Sequence, residues 1–329
     1  MDTKQMTLDI LYSRDGYVSG EDIGRELGVS RAAVNKAVSS LSSEGYEIES
    51  VQNRGYRIVS GPDILSWGEI HPFYSTSAVG RRLMVFDTID STNNYLKANS
   101  DSLPDGTVVI ADSQSAGRGR RGRSFLSPPG TGIYMSVILK PASKPLGFQN
   151  ITAFIAVALC SAIESTCGMR PGIKWTNDAV MGGRKVAGIL TELGAEVETG
   201  SIQYIISGIG INCNQDPGDF PEELSDIAGS IHMATGKPVK RARLAASFIS
   251  ELDRMYSSWP DNKPEYLGLY RKDCITVGKQ VKVVGGGKER TGKAVGIDDD
   301  FGLIVEYDDG TAGHVRFGEV SVRGLYGYV

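Results

Sequence analysis

A pattern near the N-terminus limits the possible folds more than any other part of the sequence. The stretch SGEDIGRELGVSRAAVNKAVSSL (residues 19–41) has Ser19 before one apolar-periodic segment, Ser30 before the next, and Gly28 between them. A serine directly before such a segment caps a helix, and glycine permits a sharp turn after one. The sequence therefore predicts two helices joined by a tight turn.

The flanking residues extend this pattern to a winged helix. A first helix is predicted over about residues 5–13, and two strand-like runs, YEIESV and YRIVS, lie on either side of QNRG after the third helix. Two strands that follow a helix-turn-helix are typical of a winged helix. We therefore predict a winged-helix DNA-binding domain over residues 1–60.

The predicted third helix and the wing carry side chains that suit contact with DNA. Arginine and asparagine can read base edges, whereas lysine mostly holds phosphate. A use in protein contacts stays open, because residues 1–60 contain seven Lys/Arg and nine Asp/Glu. The pattern favours DNA binding through Ser30, Arg31, Asn35, Lys36, Asn53 and Arg54.

The rest of the chain predicts an α+β protein. Residues 61–80 have the character of a linker, and residues 81–272 contain several successive strand-like runs around one long apolar helix at about 149–167. Strands that follow each other without intervening helices favour a mixed or antiparallel sheet over a doubly wound one. Short strands with Gly/Asp turns over residues 273–329 predict a small SH3-like β-barrel.

Composition restricts the remaining possibilities. The net charge of −4 provides no global positive field, so contact with nucleic acid must be local. The charged N-terminus lacks the apolar core of a signal peptide, and the apolar run at residues 151–163 is too short to span a bilayer. Four scattered cysteines predict reduced thiols in a cytoplasmic protein without membrane partners. The three histidines are far apart, so no metal site is predicted.

Four polar stretches are harder to explain as structure alone. DSTNNYL (90–96) places small polar groups at a strand-to-helix junction, where they cap a helix or bind a polar ligand. GRGRRGR (117–123) combines flexible glycines with arginines that can donate paired hydrogen bonds to phosphate. KWTNDAV (174–180) and GRKVAGIL (183–190) place polar and cationic groups beside apolar strands. Each stretch alone is a weak signal, but this order and spacing are specific.

Taken together, these stretches resemble the biotin–protein ligases, in particular the group that doubles as the biotin operon repressor. The resemblance covers nearly the whole chain and rests on STNNYL, SQSAGRGRRGR, SPPG, KWTND, KVAGIL and GIGIN. Two positions depart from the family pattern: Phe125 stands where tryptophan is usual, and Thr176 replaces a proline. Threonine keeps an extended backbone and phenylalanine keeps an aromatic surface, so we expect little functional loss.

The resemblance implies a two-step reaction and a second role as a repressor. Biotin and ATP, with Mg²⁺, would form biotinyl-5′-AMP, and biotin would then pass to a lysine of a biotin carboxyl carrier protein. The adenylate-bound form would dimerise and bind operator DNA. The resemblance also implies a central domain of the class II synthetase-like kind.

The resemblance also assigns site residues by their matching positions. Catalytic roles fall to Lys185, Arg118 and Asp178, of which Asp178 would orient or deprotonate the incoming lysine. The biotin-binding residues would be Ser91, Thr92, Asn93, Gln114, Arg118, Gly119, Arg120, Lys185, Gly188 and Gly208. The ATP-binding residues would be Arg118, Arg120, Arg121, Lys174, Trp175, Asn177, Lys185 and Asn212.

Three other functions stay open. A lipoate–protein ligase would share the fold and the adenylation chemistry, although the winged helix and GRGRRGR favour biotin. A transcription factor without enzymatic activity is disfavoured by Lys185, Arg118 and Asp178. A ligase whose winged helix does not bind DNA agrees with the acidic balance of residues 1–60.

Overall fold

The N-terminal elements follow the predicted helix-turn-helix. The computed structural model describes residues 2–141, 148–195, 202–285, 288–316 and 321–324. Its first elements are three helices and an antiparallel strand pair: α1 (Thr3–Ser13), α2 (Gly20–Leu27), α3 (Arg31–Ser43), β1 (Glu47–Val51) and β2 (Gly55–Ser60). The predicted helix-turn-helix is confirmed, and the strand pair follows it directly.

Local contacts explain where α2 and α3 begin and end. The Ser19 hydroxyl accepts a hydrogen bond from the backbone N–H of Asp22, and the Ser30 hydroxyl accepts one from Ala33. Such a cap contributes about 1 kcal/mol to helix stability. Gly28 has a φ of 68°, a conformation that ends a helix and that a side chain disfavours. The tight turn therefore depends on residues that the sequence shows directly.

The core of this unit fixes the outward face of α3. Six apolar side chains, from three helices and the segment between α1 and α2, are buried against each other: Ile10, Leu11, Val18, Ile23, Val34 and Val38. Burial of one such side chain contributes about 1.5–3 kcal/mol. Because the valines of α3 face this core, its polar residues are exposed on the opposite side.

The segment predicted as a linker contains a short helix. Helix α4 (Trp67–Ile70) is followed by a 3₁₀ turn (His71–Phe73). Glu69 is buried, and its carboxylate accepts hydrogen bonds from the hydroxyls of Tyr12, at 3.0 Å, and Tyr46.

These bonds attach α4 to the helix-turn-helix. The chain accordingly divides into two compact units, Met1–Tyr74 and Ser75–Val329, and not at residue 60. A separate C-terminal domain over 273–329 stays a prediction.

A seven-stranded mixed sheet forms the centre of the second unit. Its strands are β3 (Leu83–Ile89), β4 (Val108–Gln114), β5 (Gly132–Leu139), β6 (Gly172–Lys174), β7 (Asp178–Met181), β8 (Arg184–Ala195) and β9 (Ile202–Asn212). They lie in the order β3-β4-β5-β9-β8-β7-β6. Strands β3 and β4 are parallel, and the other neighbours are antiparallel. The predicted mixed sheet is confirmed.

In the described part of the second unit, five helices accompany this sheet: α5 (Thr92–Ala98), α6 (Ile151–Cys167), α7 (Ile231–Thr235), α8 (Arg241–Ser258) and α9 (Lys263–Asp273). Helix α6 is buried around most of its circumference, as its apolar sequence predicts. Helix α9 is absent from the sequence prediction, because Pro264 and Gly268 obscure its periodicity; a proline is nevertheless tolerated in a first helical turn. In the described part of the chain, no helix is both long and apolar enough to cross a membrane.

The C-terminal residues form a second sheet of five antiparallel strands. These are β10 (Gln280–Gly285), β11 (Lys288–Ile297), β12 (Leu303–Tyr307), β13 (Ala312–Val315) and β14 (Ser321–Gly324). The order is β13-β12-β11-β10-β14, so two edge strands remain unpaired with each other among the described residues. The C-terminal β-sheet region is confirmed, whereas closure into an SH3-like barrel is not.

The four cysteines all have free thiols. Cys160 is fully buried, and this burial raises the pKa of its thiol. Burial also raises the pKa of Cys167 and Cys274. A raised thiol pKa disfavours the reactive thiolate, so these cysteines act as apolar packing groups.

Candidate active site

A cavity of about 770 Å³ lies over one face of the central sheet. Alternate residues of a strand share a face, so Gly188 and Glu192 of β8 lie on the same side. The antiparallel register pairs Gly210 with Gly188 and Gly208 with Leu190. Three glycines thus lie side by side on this face and leave room above the sheet.

The cavity brings together all the residues that the sequence predicts for biotin, ATP and catalysis. They come from α5, from the loop after β4, from the β6–β7 turn and from β8 and β9: Ser91, Thr92, Asn93, Gln114, Arg118, Gly119, Arg120, Arg121, Lys174, Trp175, Asn177, Asp178, Lys185, Gly188, Gly208 and Asn212. Their individual roles stay predictions, but their assembly into one site is a property of the fold.

One end of the cavity is polar and is formed by the N-terminus of α5. Ser91 is the residue before this helix, and its hydroxyl accepts from the backbone N–H of Asn94 at 3.5 Å. The carbonyl oxygen of Gln114 accepts from both the backbone N–H (2.9 Å) and the hydroxyl (3.1 Å) of Thr92. The amide nitrogen of Gln114 donates to the Ser127 hydroxyl at 3.0 Å. Gln114 therefore anchors α5 to the loop that follows β4.

Two residues at this end are missing from the sequence prediction. Ser136 is fully buried, and its hydroxyl lies 2.6 Å from Asn93 Oδ1. The Asn93 amide nitrogen donates to Glu192 Oε2 at 2.8 Å. The motif KVAGIL stops two residues before Glu192, so only the two-residue periodicity of β8 indicates that its side chain shares the face of Gly188.

The arginine loop, residues 114–126, forms the wall of the cavity. Its base is held by hydrogen bonds from the N–H of Phe125 to the carbonyl of Gly117 and from Gly119 to Arg123. At its tip Arg121 has a φ of 58° and Gly122 a φ of 70°, so the chain reverses in left-handed conformations. The Phe125 ring lies against Gly210, where a methyl group would overlap it.

Two arginines of this loop reach opposite ends of the cavity. Arg118 donates to Asn94 Oδ1 at 3.1 Å and pairs with Glu192 at 3.2 Å. Arg120 donates to Asn177 Oδ1 at 3.0 Å. Burial lowers the pKa of Arg120, Arg121 adds to this and Asp178 opposes it, yet a guanidinium stays charged at neutral pH. A second positive charge is therefore held close to Lys185.

The cationic end of the cavity is built on a tight hairpin. Gly182 and Gly183 have φ values of 56° and 76°, which close the turn between β7 and β8. Lys185 then extends over Gly188, and its Nζ lies 2.7 Å from Asp178 Oδ1. The backbone N–H of Lys185 donates to Ile227, in a segment that the sequence prediction does not include.

Trp175 connects this end to the C-terminal sheet. Its backbone N–H donates to the Thr276 hydroxyl at 2.8 Å, and its indole N–H donates to the Phe301 carbonyl at 2.9 Å. The following peptide bond, to Thr176, is cis. Both N–H donors of Trp175 are therefore engaged within the protein.

The apolar lining of the cavity is the least predictable part of the site. Among the described residues, it comprises side chains from five separate segments, and several belong to ordinary core strands: Phe125, Met135, Ile189, Leu190, Ile209, Phe220, Leu224 and Ile227. Isoleucine and leucine in a strand indicate burial but not a ligand, so the sequence has no signal for this role.

No metal cluster is present among the described residues: no group of three or more His, Cys, Asp or Glu lies close enough to hold an ion. Among the described residues, two carboxylates line the cavity, Asp178 and Asp226, and Asp178 is paired with Lys185.

The predicted DNA-contacting residues lie in the first unit and are exposed. They are Ser30, Arg31, Asn35, Lys36, Asn53 and Arg54. Asn35 accepts a hydrogen bond from the Tyr56 hydroxyl at 3.2 Å, and the Arg54 guanidinium stacks over the Tyr17 ring at 4.5 Å. These contacts orient the helix and the wing, and the role in DNA binding stays a prediction.

Replacement of Gly208 by alanine tests the close packing of the glycines on the sheet face under the cavity. The added methyl group would overlap the Asn93 amide, so Asn93 must leave Ser136 and Glu192. We expect the midpoint of thermal unfolding to fall, with a loss of about 1–3 kcal/mol. In the exposed position of α9, Gly268→Ala meets no atom and should raise stability by about 0.5–1 kcal/mol. Equal midpoints for the two variants would contradict the close packing of Gly208.

Matches to family models define the class of the protein. Residues 85–212 match the biotin/lipoate A/B protein ligase family, residues 4–57 match a helix-turn-helix domain and residues 276–323 match the biotin protein ligase C-terminal domain. The class is therefore a ligase with an attached helix-turn-helix.

Comparison with individual proteins narrows this class. The chain is 38% identical to the bifunctional ligase/repressor BirA of Bacillus subtilis, over 91% of this chain and 93% of that protein. It is 31% identical to the bifunctional ligase/repressor BirA of Escherichia coli, over 98% of both chains. The biotin protein ligase from Aquifex aeolicus in complex with biotin and ATP matches with a TM-score of 0.65 and 30% identity, over 74% of this chain and 99% of that one. The chain belongs to the biotin–protein ligase family, in its bifunctional ligase/repressor group.

Proposed function

We propose that this protein activates biotin with ATP and transfers it to a lysine of a biotin carboxyl carrier protein. The observation that carries the proposal is the arrangement of the cavity, with a polar end at α5 and a cationic end at Lys185. Lys185 Nζ lies over Gly188, four residues before Glu192 on the same strand. This separation is about 13 Å at 3.3 Å per residue, which suits an elongated acid with a polar ring.

In the first step, a biotin carboxylate oxygen attacks the α-phosphorus of ATP and the bond to the β-phosphate breaks, which releases pyrophosphate. The nucleophile is already ionised, so the step needs charge neutralisation rather than a base. Lys185 and Arg120 would supply it, because both extend to the same end of the cavity. Mg²⁺ would enter with ATP, held mainly by phosphate oxygens and water.

In the second step, the carrier lysine attacks the acyl carbon of the adenylate and AMP leaves. The attacking amine must lose a proton, and Asp178 is the cavity-lining carboxylate that is paired with Lys185. Its pairing with Lys185 at 2.7 Å supports a position beside the reacting carbonyl. Asp178 would orient the amine and accept its proton.

The second proposed role is repression of biotin-biosynthesis or biotin-transport genes. The adenylate would favour a dimer if it binds the dimer more tightly than the monomer, and the dimer would present two helix-turn-helix units to an operator. The exposed α3 residues and the separate first unit support this role. A winged helix that does not bind DNA remains the alternative outcome.

Pyrophosphate release tests the ligase assignment against its nearest rival. The protein is incubated with ATP and either biotin or lipoate, and then with a carrier domain. We expect release with biotin, transfer to the carrier lysine and little release with lipoate. Release with lipoate alone would reassign the substrate. A gel-shift titration with a biotin-gene promoter tests the repressor role, and retention should require both biotin and ATP.

We also propose the finer architecture of the C-terminal region, the location of the enzyme and its assembly. The five-stranded C-terminal sheet would close as an SH3-like barrel, and the enzyme would act in the cytoplasm as a ligand-promoted homodimer. The hydrogen bonds of Trp175 to Thr276 and Phe301 support a contribution of this region to the nucleotide end.

A further inference from the structure

Glu192 joins two parts of the site that no sequence motif connects. Its carboxylate accepts from the Asn93 amide at 2.8 Å and pairs with Arg118 Nη1 at 3.2 Å. Asn93 belongs to α5, and Arg118 belongs to the arginine loop. One carboxylate on β8 therefore holds both elements against the sheet.

The position of Glu192 separates it from the reacting atoms of the proposed reaction. It lies about 13 Å along β8 from Gly188, over which the Lys185 ammonium extends. A guanidinium held at Glu192 is therefore at the opposite end from the attacking carboxylate and the phosphate. Arg120, two residues after Arg118, lies at the cationic end instead.

We infer that Glu192 is a positioning residue that fastens the arginine loop over the polar end of the cavity and orients Asn93. Arg118 serves this closure and not the phosphorus. The inference rests on the proposed function, because it assigns the polar end to the ring of biotin. It removes Arg118 from the catalytic set implied by the family resemblance.

The exposure of the groups sets the size of the expected effects. The side chains of Arg118 and Glu192 are 44% and 26% exposed, so their ion pair is weak. The hydrogen bond between Asn93 and Glu192 is partly buried and involves a charged acceptor, so it is stronger. Loss of the carboxylate should therefore raise the open population of the arginine loop moderately and weaken biotin binding more strongly.

Limited trypsin digestion measures how readily the arginine loop opens when no ligand is bound. Trypsin cleaves after arginine, and the loop contains Arg118, Arg120, Arg121 and Arg123. In Glu192→Gln and Glu192→Ala the initial rate of cleavage within residues 118–123 should rise about threefold to fivefold, since cleavage follows the open population. Glu251→Gln removes a carboxylate that pairs with Arg254 on the surface of α8, and it should leave this rate unchanged. Equal rates in all variants would overturn the inference.

Calorimetric titration with biotin measures how Glu192 affects the Kd for biotin. Glu192→Ala should raise the Kd for biotin about tenfold, because Asn93 loses the acceptor of its amide N–H and keeps only the bond from Ser136. Glu192→Gln keeps an acceptor for Asn93 and should restore most of this affinity. The KM for ATP should stay within twofold in both variants.

These measurements distinguish the inference from the proposed function. Wild-type protein that binds no biotin would contradict the proposed function, while the digestion still tests the loop. Wild-type protein that binds biotin, with equal Kd values in the two variants, would overturn the role of Glu192. A fall in thermal stability with an unchanged Kd would also overturn it, since that result describes a purely structural carboxylate.

Discussion

Replacement of Lys185 by alanine is expected to slow pyrophosphate release about a hundredfold to a thousandfold. The ammonium extends over Gly188 beside Asp178, at the end where we propose that the carboxylate meets phosphorus. Loss of one preorganised charge-stabilising group typically has this effect on the chemical step. The rate is measured with biotin and ATP in a coupled pyrophosphate assay.

The loss of activity should not come from unfolding. The side chains of Lys185 and Asp178 are 27% and 17% exposed, so we expect loss of their ion pair to lower stability by about 1 kcal/mol, too little to unfold the protein. Lys237→Ala, at an exposed position after α7, provides the control and should leave both rate and stability unchanged. A folded Lys185→Ala protein that forms adenylate at the wild-type rate would contradict the assignment.

The double substitution Arg31→Ala and Lys36→Ala is expected to weaken operator binding about a hundredfold. Both side chains are exposed on α3, and each base or phosphate contact contributes about 1–3 kcal/mol. Alanine is a good helix former, so α3 should persist. Gel-shift titration with a biotin-gene promoter, in the presence of biotin and ATP, measures the affinity.

A matched variant separates a specific contact from a change of net charge. Arg25 lies on α2, where it pairs with Glu21 and Asp22. Arg25→Ala should keep most of the affinity, and pyrophosphate release should stay at the wild-type rate in all these variants. Equal weakening by Arg25→Ala would indicate nonspecific electrostatics, and no weakening by the double variant would remove α3 from the interface.

The parts of the fold with local signals could be predicted from the sequence. Serine caps and Gly28 mark the turn between α2 and α3, and apolar runs mark the strands of the central sheet. Helix α9 has no such signal, because Pro264 and Gly268 interrupt its pattern. The register of β8 against β9 depends on tertiary packing, which local propensity does not encode.

The candidate site also combines residues with a local sequence signal and residues that only tertiary packing brings together. Residues in polar or glycine-rich motifs, such as Lys185 and Gly208, are recognisable because they are unusual in strands. Ser136 and Glu192 are ordinary residues within strands, and only the folded sheet brings them to Asn93. Trp175 lies in a recognisable motif, but its two hydrogen bonds to the C-terminal region depend on long-range contacts.

Among the described residues, those that line the cavity fall between positions 91 and 228, and those of the helix-turn-helix fall before position 75. A gene shortened at its 5′ end would still encode the complete pocket, and a gene fusion could add the helix-turn-helix without altering it. Mutations that change the helix-turn-helix and mutations that change the pocket therefore fall in separate stretches of the gene.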